Sequence, residues 1–410
     1  QLYLRELELE YGGQMYVFIR NETLPFSSIN FLSSTNQPTM EYVTTFQQAL
    51  FNLGDRILSF TTSENVVTAY IILPIVLIVL SFLLTMLYRC MKLHCCTKSV
   101  DGRLVLITGG SSGIGKALAC KYAAMGASVV IVARTESKLE QALEEIEEAA
   151  KNSTTQSFAY LCCDVTNKKN VELVMDELID LHGCPDTIIN CHGAAYPGYF
   201  LEQDHSIFEK TMALNYMGNV NVIKTIAPQM AARGSGEIVI VASAAAVVSF
   251  IGYTSYSPSK FALRGLSDAL RNELSPFGIR VSIAYPPDTN TTGFKKEKEM
   301  APPETAACFP ADPFESEAVA NAMIDSIRLG DYHLQSPDPL QNLLISSMSG
   351  VTPRPYVVLE TLLAPLLVVV EQLFWPWFDY QARCYKQSDR APSFVEINEE
   401  EEEEENTKEE

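Results

Sequence analysis

Two side chains in the stretch "YTSYSPSKFA", residues 253 to 262, can do chemistry together. Tyr256 and Lys260 stand four positions apart, a spacing that puts both on one face of a helix. A phenol with its ordinary pKa of about 10 is a weak acid at neutral pH. An ammonium beside it favours the phenolate and lowers that value, which makes the tyrosine a usable proton donor or acceptor. A chain with 18 tyrosines also produces this spacing by chance. The pair has meaning only if the elements around it demand it.

A second group of residues suggests what the pair would work beside. In "LVLITGGSSGIGKALA" a strand-like run enters glycines and then a helix, with Gly109, Gly113 and Gly115 spaced Gly-x-x-x-Gly-x-Gly. Glycine is needed there because the turn is tight, the backbone must approach a pyrophosphate, and the helix packs closely on the strand. The helix N-terminus then presents free N–H groups and the positive dipole end to the phosphates. Ser111 and Ser112 add hydroxyl donors, and Ile114 sits between the last two glycines. Sites for NAD usually carry an acidic residue at the end of the next strand, to hold the ribose. Here "SVVIVAR" ends in Arg134, which can clamp a 2′-phosphate bidentately. The expected cofactor is NADPH/NADP; Arg134 as a mere surface residue would leave the ribose without its acidic partner.

The elements that must position these groups follow an alternating pattern. Between residues 103 and about 330, short β-branched runs ("LVLIT", "SVVIVA", "TIIN", "EIVIVAS", "IRVSIAY") alternate with helix-like stretches such as "ESKLEQALEEIEEAAK". That pattern predicts βαβ units and an α/β fold, a doubly wound parallel sheet covered on both faces.

Ser243 closes "EIVIVAS" thirteen residues before Tyr256, and Asn215 lies in the preceding helical stretch "FEKTMALNYMGNV". With "TGGSSGIG", Asp164-Val165, "NCHG" at Asn190 to Gly193, and "YSPSK", this set resembles the short-chain dehydrogenase/reductase family over residues 104 to 290. The resemblance implies a Rossmann-like fold and a catalytic set of Asn215, Ser243, Tyr256 and Lys260. Tyr256 would protonate the oxygen of a ketone receiving hydride at carbon, and Ser243 would stabilise charge developing on that oxygen. Asn215 would hold a water that refills the proton through Lys260. Implied cofactor contacts are Gly109, Ser111, Ser112, Gly113, Ile114, Gly115, Arg134, Asp164, Val165, Asn190, Gly193, Tyr256, Lys260, Pro286, Thr289 and Thr291. The sequence departs from the family at His192, which stands where an alanine is usual. It is either a packing substitution or a polar group touching the cofactor.

The turn "AYPPDTNTTGF", residues 284 to 294, replaces the commoner Pro-Gly turn. It is similar to the branch of the family that reduces 3-ketodihydrosphingosine to dihydrosphingosine in early sphingolipid synthesis, as are "FIGYTSYSPSKFALRGLSDAL" and "FDYQARC". The expected substrate is thus a long-chain 3-keto amino alcohol, whose ammonium Asp288, Glu297 and Glu299 can meet unless they are solvated loop charges. A membrane-anchored relative acting on a retinoid or steroid, and a non-catalytic cofactor-binding scaffold, are the alternatives.

Composition bounds the rest. The chain has 410 residues and a formal charge of −20. Ten glutamates against one lysine in the last fifteen residues supply −9 of that, so residues 386–410 are expected to be a disordered acidic tail. Nothing suggests nucleic acid, and the ten scattered cysteines lack the spacing of a zinc site or disulfide framework. Cys90, Cys95 and Cys96 follow an apolar segment, where acylation or free thiols are both open. Residues 66–88 carry no charge and are long enough to span a bilayer. Arg89, Lys92, Lys98 and Arg103 follow them, placing the later residues in the cytosol and residues 1–65, with the sequon Asn21-Glu22-Thr23, in the lumen. The expected site is the endoplasmic reticulum membrane. Residues 103–335 are expected to form the NADP-binding domain and 336–385 a hydrophobic membrane-associated segment. Within the latter, residues 356–378 are apolar, but Glu360 and Glu371 share one helical face. A carboxylate at a bilayer centre costs about 2.5–3.5 kcal/mol, which favours a membrane-surface or partly inserted element, with a second span or plain core packing as the alternatives. Homo-oligomerisation is left open. The chain opens on Gln1, so a fragment or processed form is expected.

Overall fold

A computed structural model describes residues 99–348 apart from Ser153 and 309–311, together with 6–11, 14–19, scattered positions between 76 and 91, and residues 363, 377 and 380. Two units divide the chain at residue 74. In the first, Glu6–Tyr11 and Gln14–Ile19 pair as an antiparallel hairpin.

The second unit holds a seven-stranded sheet, labelled here in chain order. Its strands are β1 (Leu104–Thr108), β2 (Ser128–Ala133), β3 (Phe158–Cys162), β4 (Thr187–Asn190), β5 (Gly236–Val241), β6 (Ile279–Ala284) and β7 (His333–Leu334). Their order across the sheet is β3-β2-β1-β4-β5-β6-β7, and every pairing is parallel. Strand order reverses between β1 and β4, and open α/β sheets bind ligands at that switch point, outside the carboxyl ends of the strands.

The strands are apolar on both faces because helices cover both. Side chains alternate between two cores at a period of two. Leu106, Val130 and Val132 face one core, with Met175, Ile226 and Leu263. Val105, Ile107 and Ile131 face the other, with Leu118, Leu139 and Ile324. The first face is covered by α3 (Lys168–His182), α5 (Gly218–Arg233) and α6 (Tyr256–Leu274), the second by α1 (Gly113–Ala124), α2 (Glu136–Glu148) and α9 (Ser316–Leu329). Between them lie α4 (His205–Met212), α7 (Thr292–Met300) and α8 (Pro303–Cys308). A last helix, α10 (Pro339–Met348), lies past residue 335 yet buries Ile345 in the first core.

One irregularity bears on the site. Helices α4 and α5 form one run interrupted by a π turn, Ala213–Met217, a feature frequent at functional positions. Asn215 sits inside it.

The segments read as membrane-associated, 66–88 and most of 336–385, and the acidic tail lie largely or wholly outside the described residues. Among those described, no helix is long and apolar enough to cross a membrane.

Candidate active site

The glycine turn between β1 and α1 is built as the spacing predicts. Gly109 and Gly113 have φ of +71° and +54°, the left-handed region that favours glycine. A Cβ on Gly115 would lie 2.3 Å from the Gly109 carbonyl oxygen, and one on Gly109 would lie 2.8 Å from the His192 backbone nitrogen. Ser112 stands at the N-cap of α1 with its side chain making no capping bond, so the first N–H groups of the helix stay available to an anion. Gly113 faces the Thr291 methyl. A cleft of about 580 Å³ opens there, lined by Ser112, Gly113, Lys116, Asn290, Thr291 and Lys295 among others. Ser111 and Ile114 flank the turn, both half-buried.

Arg134 follows β2 directly and is exposed. Its backbone carbonyl accepts from the Cys162 thiol at 3.3 Å, while its guanidinium forms no ion pair among the described residues. An uncommitted guanidinium at that strand end fits a phosphate-bearing ribose. Asp164 folds its carboxylate onto Thr166, accepting from the backbone N–H at 3.0 Å and the hydroxyl at 2.8 Å. The Val165 carbonyl accepts from Asn221 at 2.9 Å. Asn190, fully buried at the end of β4, has an Nδ2 with no partner. A polar cradle of glycines, open helix N–H groups, an uncommitted arginine and an orphaned amide fits a dinucleotide.

The reacting end assembles around α6. Lys260 is 4% exposed and its Nζ donates to the Val241 carbonyl at 3.2 Å. Its Nζ lies 5.6 Å from the centre of the Tyr256 ring, so the spacing of four does place them side by side. A Cβ on Gly193 would stand 3.1 Å from Asn215 Oδ1 and 3.2 Å from Lys260 Nζ. Glycine gives both the room to approach; a side chain there would crowd them.

Asn215 is spent on architecture. Its Oδ1 accepts from the Ala194 N–H at 3.0 Å, and its Nδ2 donates to the Ala194 carbonyl at 3.1 Å and to Ser259 Oγ at 2.9 Å. Ser259 in turn donates to the Tyr256 carbonyl at 2.6 Å. Asn215 therefore ties the loop after β4 to the first turn of α6, which carries the tyrosine. The sequence did not single out Ser259; its position one before Lys260 was the available signal.

Ser243 lies two residues past β5, at the N-cap of the short turn Ala244–Ala246, and accepts from the Ala245 N–H at 3.1 Å. It also hydrogen-bonds the Tyr256 side chain, which favours the phenolate. Burial and the charge of Glu297 outweigh that and hold the phenol well above its ordinary value. Burial pulls Lys260 down to about 8. The expected lowering of Tyr256 by its lysine is thus not what dominates: Tyr256 rests protonated, the form a proton donor needs.

The loop after β6 closes the site. The Pro286 carbonyl accepts from the Ala244 N–H at 3.4 Å, Thr289 Oγ1 donates to the Pro287 carbonyl at 2.7 Å, and Thr291 caps α7 by accepting from the Phe294 N–H at 3.0 Å. His192 takes the packing role. It is buried, Thr108 Oγ1 lies 2.6 Å from its Nδ1, and a Cβ on Gly218 of α5 would lie 2.8 Å from its Nε2. Burial pushes its pKa down to about 3, so the ring is neutral. Of the three acidic residues after β6, Glu299 is exposed, whereas Glu297 receives a hydrogen bond of 2.5 Å from Tyr253.

Sheet order, glycine turn and Tyr-Lys-Ser constellation define a dinucleotide-dependent oxidoreductase of Rossmann type. Comparison with known proteins agrees. The family model for short chain dehydrogenases matches residues 103–302. A 3-ketodihydrosphingosine reductase of Dictyostelium discoideum is 38% identical over 288 residues, covering 66% of this chain and 85% of that protein. A 3-ketodihydrosphingosine reductase of Bos taurus is 41% identical over 210 residues, covering 50% of this chain and 62% of that protein. Among solved structures, a short-chain dehydrogenase from Sphingobium yanoikuyae in complex with NADPH superposes with a TM-score of 0.50 at 25% identity, covering 57% of this chain and 87% of that one. The chain belongs to the short-chain dehydrogenase family.

Proposed function

We propose that this chain reduces 3-ketodihydrosphingosine to dihydrosphingosine with NADPH. The observation that carries the reading is its likeness to reductases of that name, which runs through the Tyr256, Lys260 and Ser243 cluster and covers most of the Dictyostelium protein.

NADPH supplies the hydride when bound. The glycine turn and the α1 N-terminus would hold its pyrophosphate, Arg134 its 2′-phosphate, and Lys260 its nicotinamide ribose. On the substrate side, Ser243 donates a hydrogen bond to the ketone oxygen, and Tyr256 gives it a proton from Oη. Lys260, charged below a pH of about 8, stabilises the phenolate left behind. Asn215 positions the turn that carries Tyr256.

The substrate is an amphiphile that partitions into a bilayer, so a membrane-held enzyme would meet it there. We assign residues 66–88 to a span of the endoplasmic reticulum membrane, 356–378 to the membrane surface, and the reductase domain to the cytosolic side. In support, the described positions between 76 and 91 are helical with Leu77, Leu83, Leu84 and Leu87 exposed, as lipid-facing residues are. Arg89 pairs with Asp331 of the reductase domain at 2.7 Å.

Turnover with NADPH on 3-ketodihydrosphingosine, retinal and a steroid ketone tests the reading. The sphingoid ketone should be preferred; preference for retinal or the steroid would replace it, and no turnover of any would point to a binding scaffold.

A further inference from the structure

The site contains two carboxylates that the chemistry above does not use. Glu297, half-buried on α7, accepts the Tyr253 hydroxyl on Oε1 at 2.5 Å. Asp288, in the turn after β6, is close enough to repel it. Neither carboxylate forms an ion pair among the described residues. Partly buried acids without cations are costly, and the cost shows: burial and Asp288 hold Glu297 up at about 7, against the opposing pull of Tyr253 and Lys260. Asp288 is likewise raised by burial, with Lys298 opposing. Lys298 is engaged over the Phe294 ring at 5.4 Å, and Lys260 on the Val241 carbonyl.

Position gives these acids a meaning. Tyr253 is 6% exposed, and its ring meets the Tyr256 ring edge-on at 5.7 Å. The carboxylate it orients therefore stands one side chain away from the proton donor. In a 2-amino-3-ketone the nitrogen is attached to the carbon next to the carbonyl. An anion that binds this ammonium must lie near the group that protonates the ketone, and Glu297 is held there through the Tyr253 ring. Phe250, with its ring 4.6 Å from that of Tyr253, supplies an apolar flank.

We propose, resting on the substrate reading above, that Glu297 held by Tyr253 and seconded by Asp288 is the subsite for the substrate ammonium, and so the determinant that selects amino ketones over neutral ones. Because an ammonium favours the ionised carboxylate, substrate and Glu297 reinforce each other's charge, and the acid that is unfavourable alone becomes favourable in the complex.

Glu297→Gln keeps an acceptor for Tyr253 and removes the charge. We compare kcat/KM for 2-amino-1-hydroxyoctadecan-3-one and for 1-hydroxyoctadecan-3-one, which lacks the amine. Wild type should prefer the amine, and Glu297→Gln should cut that preference by about tenfold or more, the effect of losing a hydrogen bond between charged groups, chiefly through KM. In wild type, KM for the amine should also rise as pH falls through about 7, because the carboxylate is lost below that value; the variant should lose this limb. An NADPH titration confirms that the variant is folded. Should it not fold, Asp288→Asn serves, with an expected loss of preference of about threefold. An unchanged preference, or equal losses on both ketones, overturns the subsite. Wild type that fails on the amino ketone yet reduces retinal or a steroid overturns the substrate reading instead, so the two failures are distinct.

Discussion

Tyr256 can be tested by the loss of a single oxygen. Tyr256→Phe keeps the ring contact with Tyr253 but has no proton to give, so kcat for ketone reduction should fall by about 10²–10⁴ with NADPH binding retained. Near-normal turnover would sink the assignment. Lys260→Met should lose turnover and also weaken NADPH binding, read by fluorescence titration. Wild-type reduction should decline as pH rises through about 8, where buried Lys260 gives up its proton. Arg134→Asp replaces attraction by repulsion at the 2′-phosphate and should shift preference toward NADH by about 2 kcal/mol, roughly thirtyfold. If preference for NADPH survives, Ser111 and Ser112 are the next residues to change. Most of these side chains were legible in the sequence because each stands at a fixed place relative to a strand end. Tyr253 and Ser259 were not, because their importance lies in contacts to Glu297 and Asn215 that only the folded chain creates.

At the scale of elements, the βα1 turn tolerates nothing larger than hydrogen at Gly115. An added Cβ would meet the Gly109 carbonyl at 2.3 Å, and backbone cannot swing aside as a flexible side chain can. Gly115→Ala should lower stability by about 1–3 kcal/mol, as overpacking does, and abolish NADPH binding. Gly265→Ala on α6 makes the contrast: nothing lies within 4 Å of its Cβ position, so the helix should gain about 0.5–1 kcal/mol. Thermal melts of the two variants should move in opposite directions. Elements with strong local signals were readable in advance. "LVLIT", "SVVIVA" and "TIIN" coincide with β1, β2 and β4, since buried parallel strands need unbroken β-branched runs. The strand "FAYLC" was not picked out. It lies at the sheet edge, only partly buried, and carries no β-branched residue. β7 is two residues long and has no periodicity to read. The π turn at Asn215 accompanies bonds to Ala194 and Ser259, long-range contacts that no local pattern announces.

For the whole molecule the proposed membrane span and the side on which it would leave the reductase domain can be tested, and the chain carries its own reporters. Three sequons occur, at Asn21, Asn152 and Asn290; Asn21 lies outside the described residues and before the proposed span. Asn152 is exposed in a turn where its Oδ1 accepts from the Thr154 hydroxyl at 2.7 Å, so an oligosaccharide would meet no steric barrier there. Asn290 is the weaker reporter, because its side chain donates to the Glu315 carboxylate at 3.1 Å and its backbone pairs beside Glu315. The proposed cytosolic placement, argued from the basic residues after position 88, would keep the domain away from glycosyltransferase. Asn21 should therefore carry sugar, given a translocated N-terminus, while Asn152 and Asn290 stay bare. The measurement is the glycosidase-sensitive mobility of single Asn→Gln variants expressed in cells. A shift that vanishes with Asn152→Gln would invert the topology and put the active site in the lumen. It would also weigh against the sphingoid reading, since steroid-reducing members of the family often face that side.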